Sequence, residues 1–285
     1  MTTNRFPLSG PINLLAKYAL GSLTIDARDD LTEATVEITP HDPTSSVLDQ
    51  ITVELDGPTL TISGPKPRGG LLEFAVFGGG NDSAEAIDVS VVVPSGTAMK
   101  VTGLSNRIIA HGRVGGVDVA GRSTELTLDA ADGDVRVRSG NGSTHLGRVT
   151  GSVQVRSGAC DVSAASVTGS VDVAVGSGSV RLGHVGDAVR MRSGSGDVEV
   201  GDVRGNVDIT TGSGELVIGL AAGQQARLDV LTGHGTLNTE MPVTDRPSTP
   251  TGLVKASRPS TIRARTGNGN VTIRRAAAPA AAAAR

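Results

Sequence analysis

The chain has 285 residues, a formal net charge of −3 and a single cysteine. So small a charge provides no global field to attract nucleic acid or an anionic membrane. One cysteine excludes an internal disulfide framework and a zinc site made of cysteines. Aromatic residues make up only 1% of the chain and tryptophan is absent. A core without aromatic rings is built from Val, Ile and Leu in many thin layers, which favours a solenoid over a globule.

Residues 1–96 contain short alternating runs of apolar and polar residues, separated by turns rich in Pro, Gly and Asp. Such runs are typical of short strands. The predicted strands are Ser22–Ala27, Ala34–Thr39, Ile51–Leu55, Thr59–Ser63, Leu72–Phe77 and Ile87–Val93. Because a solenoid exposes an unpaired sheet edge at each end, we expect residues 1–96 to form an all-β cap on its first rung.

No export or membrane-spanning signal is visible. The opening residues are interrupted by Pro7, Pro11 and Lys17 and never reach the continuous apolar length of a signal peptide. No later stretch approaches the ~18 apolar residues needed to span a bilayer. We therefore expect a cytoplasmic protein.

Residues 97–274 carry an internal repeat of 18 residues. Its first two apolar columns are Val117, Val135, Val153, Val171, Val189 and Val207, and Val119, Val137, Val155, Val173, Met191 and Ile209. Half a period later come Leu126, Thr144, Val162, Val180, Val198 and Leu216, and Leu128, Leu146, Ala164, Leu182, Val200 and Ile218. Apolar residues at i and i+2 predict a short strand with one face inward. Glycines that recur with the same period predict the corners between strands.

The repeat predicts an all-β fold, a parallel β-helix or β-solenoid of about nine 18-residue rungs. A third apolar column, Val149, Val167, Val185 and Val203, occurs in only one half of the unit, so each rung has two full strands and a short third segment. After a Pro-rich excursion at 241–255, Ile262–Ile273 is predicted to form the last rung. We expect a right-handed coil, because crossovers between parallel strands prefer that hand. Residues 275–285 form an Ala-rich tail that we expect to be disordered.

The wording of the repeat resembles a known family. Arg-Ser-Gly-Ser-Gly-Asp-Val-Glu-Val at 192–200 and Thr-Thr-Gly-Ser-Gly-Glu-Leu-Val-Ile at 210–218 are similar to the bacterial β-strand-repeat family labelled "putative adhesin", a domain of unknown function common in actinobacteria. The closing residues 262–275 and the opening residues 10–14 extend the similarity over nearly the whole chain. The resemblance implies a parallel β-helix or roll, and it implies no catalytic residue.

Calcium binding is one alternative. Calcium-binding β-rolls also make two half-turns in 18 residues, with an aspartate in the turn, two residues before the inward apolar position. Here Gly196 occupies that place before Val198, and the acids Asp161, Asp197 and Glu215 fall one residue later. This shift moves the carboxylates out of the turn, so we expect no metal site and no cofactor.

A carbohydrate-active β-helix enzyme is the other alternative. Such enzymes need converging carboxylates, commonly with aromatic side chains that stack on sugars. The outward acids Asp118, Asp172 and Asp208 are isolated among Arg, Gln and Ala, and no aromatic accompanies them. We therefore expect a non-catalytic scaffold for protein interaction or assembly rather than an enzyme.

One outward surface of the first strands is rich in arginine. Its members are Arg136, Arg138, Arg156, Arg190 and Arg192. Gln154, Asp172 and Ala174 dilute the positive charge, which also fits an ordinary solvated surface. We nevertheless expect this surface to be where a protein or another anionic ligand docks, since guanidinium groups recognise carboxylates and phosphates through charge-assisted hydrogen bonds.

Overall fold

The computed structural model describes residues 1–8, 10–42, 46–64, 86–221, 224–240 and 260–276. These residues are mostly β-strand, with one short 3-10 helix at Ser46–Gln50 and no α-helix among them. Their 21 strands form one hydrogen-bonded sheet. In chain order the strands are β1 Thr2–Pro7, β2 Asn13–Lys17, β3 Leu20–Arg28, β4 Glu33–Pro40, β5 Thr52–Asp56, β6 Thr59–Ser63, β7 Ile87–Pro94, β8 Ala98–Val114, β9 Val117–Ala131, β10 Val135–Val149, β11 Val153–Val167, β12 Val171–Ser177, β13 Val180–Val185, β14 Val189–Ser195, β15 Val198–Val203, β16 Val207–Ser213, β17 Leu216–Leu220, β18 Ala226–His234, β19 Leu237–Thr239, β20 Ser260–Asn268 and β21 Val271–Arg275.

The strands from β8 to β17 stack as parallel layers. Strands β8 to β11 are each one long strand that bends through a corner, whereas the following layers are divided into two strands: β12 and β13, β14 and β15, and β16 and β17. Val135 lies opposite Val153, and Val153 lies opposite Val171. Each of these layers is hydrogen-bonded on both sides, so the middle of the stack has no free edge. The all-β, solenoid-like architecture predicted by the repeat is confirmed.

The predicted apolar columns point inward. Val137, Val155 and Val173 are at most 1% exposed, and the third column of Val149, Val167, Val185 and Val203 is equally buried. Thr144, the polar exception, is buried with its hydroxyl 3.7 Å from the sulfur of Cys160. Among the described residues, the buried apolar side chains form one hydrophobic core that includes both Ile12 and Ile273.

Glycine is required at a corner such as Gly196. Its φ is +128°, and a Cβ added there would lie 2.0 Å from the carbonyl oxygen of Gly178 in the preceding layer. Any side chain would therefore force the two layers apart.

The N-terminal strands close one end of the stack. Strands β2 and β3 form a layer that pairs in parallel with β8, and β6 and β7 form the next layer outward. Three further strands, β1, β4 and β5, pair antiparallel at the outside. The predicted strands are present except Leu72–Phe77, which lies outside the described residues, while β1 and β2 were not predicted. The division of the chain at residue 97 remains a prediction, because the core crosses it.

The order of the last two layers differs from the prediction. Strand β20 pairs with β16 on one side and with β18 on the other, so residues 260–275 lie inside the stack and residues 226–239 end it. The prediction that Ile262–Ile273 forms the last rung is therefore wrong. The physical reason is that β20 and β21 together form a full layer, in which Ile262 and Ile273 are completely buried by the layers on both sides. Strand β19 has only 3 residues and would cover less of a neighbouring layer.

Candidate functional site

In each layer of the stack, the outward residues of the first half (the beginning of β8 to β11, then β12, β14, β16, β20 and β18) form two parallel columns. The mixed column contains Lys100, Asp118, Arg136, Gln154, Asp172, Arg190, Asp208, Arg263 and Asp229, in stack order. The cationic column contains Lys17, Thr102, Ala120, Arg138, Arg156, Ala174, Arg192, Thr210, Arg265 and Leu231. The columns are neighbours because their members lie two positions apart on the same strand, and alternate residues of a strand share a face.

The structure places the five predicted arginines on one face but in two different columns. Arg136 and Arg190 belong to the mixed column, where acidic and basic residues alternate along most of the stack. The other three, Arg138, Arg156 and Arg192, belong to the cationic column, which contains no acid along its length. The two columns therefore differ in net charge although both contain arginine.

Among the residues that the structure describes, only two of the five predicted arginines form ion pairs. Arg136 lies 3.1 Å from Asp134, and Arg138 lies 3.4 Å from Asp118. Within the part of the chain that the structure describes, the side chains of Arg156, Arg190 and Arg192 have no carboxylate partner, and all three are exposed. Alanine neighbours such as Ala174, between Arg156 and Arg192, leave those guanidinium groups uncrowded.

Two members of the cationic column were not predicted. Lys17 joins it from strand β2, and Arg265 joins it from β20, where it lies opposite Thr210. Asp229 approaches Arg265 to 4.0 Å and Arg263 to 3.1 Å. The sequence does carry a signal for Arg265, because Arg263-Ala-Arg265 repeats the pattern of Arg136-Val-Arg138 and Arg190-Met-Arg192. Lys17 lies outside the periodic region, and the sequence offers no comparable signal for it.

The acids that suggested an enzyme are separated by bases. Asp172 and Asp208 both lie in the mixed column, with Arg190 directly between them. Asp118 lies between Lys100 and Arg136 and also binds Arg138. The three acids therefore do not converge on one point, as the paired carboxylates of a sugar-cleaving site do.

The acids that suggested calcium binding accept hydrogen bonds from the backbone. Asp161 accepts one from the amide of Ser179 at 2.8 Å, and Asp197 accepts one from the amide of Glu215 at 2.8 Å. The amide and hydroxyl of Ser179 hold the pKa of Asp161 below its usual range. Asn270 makes the same bond to the amide of Thr236 at 3.0 Å. We call this set of side-chain bonds between layers the amide ladder.

A shallow depression of about 170 Å³ lies along strands β13, β15 and β17, around Arg181, Asp197, Glu199 and Glu215. Two of its carboxylates are already engaged, since Asp197 belongs to the amide ladder and Glu199 accepts a hydrogen bond from Arg274 at 2.9 Å. No group of three or more His, Cys, Asp or Glu side chains able to hold a metal ion occurs in the described ranges. The cationic column is therefore the better candidate for a binding site.

Comparison with known proteins agrees with the architecture. The family model described as Toastrack DUF4097 matches residues 22–274. No curated protein matches the chain. No helix among the residues described is long and apolar enough to cross a membrane.

Solved structures resemble the chain over most of its length at low identity. A "putative adhesin" from Bacteroides fragilis is 12% identical, with 96% of each chain covered and a TM-score of 0.43. A "putative lipid binding protein" from Parabacteroides distasonis is 14% identical, with 95% of this chain and 96% of the other covered and a TM-score of 0.39. A "putative cell adhesion protein" from Clostridium sporogenes is 13% identical, with 96% and 99% covered and a TM-score of 0.26. At these scores the likenesses carry no argument about function.

Proposed function

The chain belongs to the Toastrack DUF4097 family, and we propose that it is a non-catalytic β-solenoid scaffold that binds an anionic partner through its arginine face. The arginine face comprises Arg136, Arg138, Arg156, Arg190 and Arg192, as defined by the two outward columns. We also propose that the solenoid is right-handed and built of 18-residue rungs, since parallel crossovers prefer that hand. A cytoplasmic location remains a prediction, which cell fractionation tests.

One observation carries the proposal: the cationic column has free guanidinium groups in a straight line. Arg156 and Arg192 are exposed and have no carboxylate partner in the described part of the chain. Like charges at neighbouring rungs repel each other and lower stability. Arg138 and Arg156, which lie opposite each other on neighbouring strands, are such a pair. A bound anion would remove this repulsion, so the free energy of binding would include relief of a cost present in the unbound protein.

The chemistry of arginine suits this role. A guanidinium group is always charged and presents its donors in a planar fork that matches a carboxylate or phosphate. Bonds between such ionised groups are roughly twice as strong as neutral hydrogen bonds. Because the arginines project from a paired β-sheet, the backbone loses little conformational entropy when a ligand binds.

The proposal that the scaffold is non-catalytic rests on the placement of its acids. The outward acids alternate with bases or bind backbone amides, as Asp172 and Asp197 do. These acids therefore do not form a converging pair of carboxylates.

Charge reversal tests the arginine face. We expect the double variant Arg156→Glu/Arg192→Glu to lose the partners that the wild-type protein recovers in a pull-down from its native cell. Its melting temperature should stay close to that of the wild type, because both side chains are exposed and bury little surface. Wild-type binding should weaken as salt is raised, since exposed charges are screened.

A matched control separates the face from the change in net charge. Arg148→Glu/Arg204→Glu alters the net charge equally at two exposed arginines in the second half of the rung, away from the arginine face. This control should keep the partners. If the first double variant keeps its partners at low salt, the arginine face is only a solvated surface and the proposal is wrong.

A further inference from the structure

Resting on the proposed function, we propose that the cationic column binds a single linear chain of carboxylated sugars that lies along the stack. The ligand class is an acidic polysaccharide, whose carboxylates meet the arginines while its hydroxyl groups meet a neighbouring polar row. Three features of the surface lead to this ligand: the length of the cationic column, a row of glycines beside it, and a row of small polar side chains beyond the glycines.

The length of the column requires an extended ligand. From Arg138 the column passes Arg156 and Arg192 and reaches Arg265 after five layer steps. At about 4.8 Å for each step this covers roughly 24 Å. A small anion would contact one or two of these guanidinium groups, whereas a linear polyanion can contact all of them at once and gain from each in turn.

A lane of glycines forms the floor beside the column. Each glycine comes two residues after a member of the cationic column and is exposed; the lane comprises Gly140, Gly158, Gly176, Gly194, Gly212 and Gly267. Because each glycine is only two residues from a member of the cationic column, the lane runs beside the arginines. Since glycine has no side chain, a bulky ligand such as a sugar ring can approach the backbone closely along the whole lane.

A polar row borders the lane on its far side. It follows the glycines by one residue and contains Asn141, Ala159, Ser177, Ser195, Ser213 and Asn268, so that five of its six members are polar. Hydroxyl and amide groups of this kind both donate and accept hydrogen bonds, as sugar hydroxyl groups do. The arrangement of cations, bare backbone and small polar groups thus matches the three parts of an acidic sugar: carboxylate, ring and hydroxyl.

Other linear anions fit these features less well. Single-stranded nucleic acids rely on stacking against aromatic side chains, and no aromatic occurs in either column or in the polar row. An acidic peptide would bind a sheet through a free edge, but the strands of this face are paired on both sides from β8 to β16. A peptide strand also presents carboxylates on one side every ~6.7 Å, out of step with layers ~4.8 Å apart.

Oligogalacturonates of defined length are the probe for this proposal. We expect calorimetric titration at low salt to give an affinity that rises with chain length until the oligomer spans the column, then levels off. Arg156→Glu/Arg192→Glu should weaken binding at least tenfold, and Arg148→Glu/Arg204→Glu should not. A neutral glucan of the same length should not bind, since it carries no carboxylate for the arginines.

A second variant separates sugar recognition from simple charge attraction. Ser195→Ala/Asn268→Ala should weaken binding of oligogalacturonate severalfold and leave binding of poly-glutamate unchanged. Equal loss for both polymers, or no loss for either, contradicts the proposal, as does tighter binding of poly-glutamate or single-stranded DNA. In those cases the arginine face can still bind an anionic partner. The proposed function fails separately, if the cellular partners survive charge reversal.

Discussion

The layers from β9 to β17 and the terminal layer of β18 and β19 have the same inward columns but different surroundings. In the middle of the stack, Leu216 is 0% exposed because a layer lies on each side of it. Leu237 continues the same column beyond Val271 and remains 49% exposed. The apolar pattern of a rung therefore does not determine how deeply it is buried. Burial depends on whether another layer follows.

Burial between neighbouring layers stabilises this solenoid, which lacks aromatic side chains in its repeat. Each layer contributes only a few medium-sized apolar side chains, and these are buried mainly by the layers above and below. Leu228 and Val230 of the terminal layer are only half buried, although they lie opposite the fully buried Ile262 and Ala264. We therefore expect stability to fall towards this end of the stack.

The largest expected effect compares two leucines in one column. Leu216→Ala should lower the free energy of unfolding by about 2–5 kcal/mol, the usual loss for a fully buried leucine. Leu237→Ala should lower it by less than about 1 kcal/mol, because half of that side chain already contacts solvent and truncation leaves no enclosed cavity. Urea denaturation followed by circular dichroism measures both.

Equal losses for the two leucines would break the comparison. That result would mean that something covers Leu237 in solution. Leu231→Ala provides a control, since Leu231 points outward in the same terminal layer and is 63% exposed. Its truncation should change stability very little.

An intermediate effect concerns the amide ladder in the middle of the stack. Asp161 is ionised in the bond to Ser179, whereas Asn270 makes the equivalent bond at the end of the stack without a charge. Because the pKa of Asp161 is depressed in the folded protein, its contribution is fully present above the unfolded pKa of about 3.9. The contribution is lost as pH falls through the folded pKa.

Asp161→Asn should therefore alter the pH dependence of stability more than stability at neutral pH. Asparagine keeps an acceptor for the Ser179 amide, so we expect a change of no more than about 1 kcal/mol at pH 7. Below about pH 4, wild-type stability should fall relative to that of the variant. Urea midpoints between pH 7 and pH 3 measure the difference. A constant difference in stability over this range would show that the charge of Asp161 does not stabilise the folded protein.

Sequence periodicity predicted the buried residues well because burial in the stack repeats with the columns. The inward positions from Val117 to Ile218 and the arginines on one face all followed from the repeat. Sequence periodicity could not predict the order of the last layers. The apolar positions of a rung have the same spacing wherever that rung lies in the stack, so the spacing does not indicate which layers are its neighbours. Residues 226–239 and 260–275 both fit the repeat, and only the shortness of β19 distinguishes them.

The candidate site was only partly predictable for the same reason. Arg138, Arg156 and Arg192 lie within the strict repeat, so their shared face could be deduced. Lys17 enters the cationic column from β2, which stacks on β8 despite lying far before it in the chain. Pairing between such distant segments depends on the folded stack, and a local pattern carries no information about it.

The smallest expected effect is the response to calcium. Calcium takes six to eight oxygen ligands at about 2.3–2.6 Å, whereas in the middle of the stack Asp161 and Asp197 are each bound to an amide of the next layer. Capture of these carboxylates by calcium would break the amide ladder, and the loss of its hydrogen bonds would offset the gain. We therefore expect thermal melts with excess chelator and with millimolar calcium to coincide. A ligand that binds only the folded state raises its stability by mass action, so a calcium-dependent rise of several degrees would overturn this expectation. Repeating the melts with Asp197→Asn locates any such effect: a rise that persists in this variant arises outside the ladder, and one that disappears assigns calcium to it.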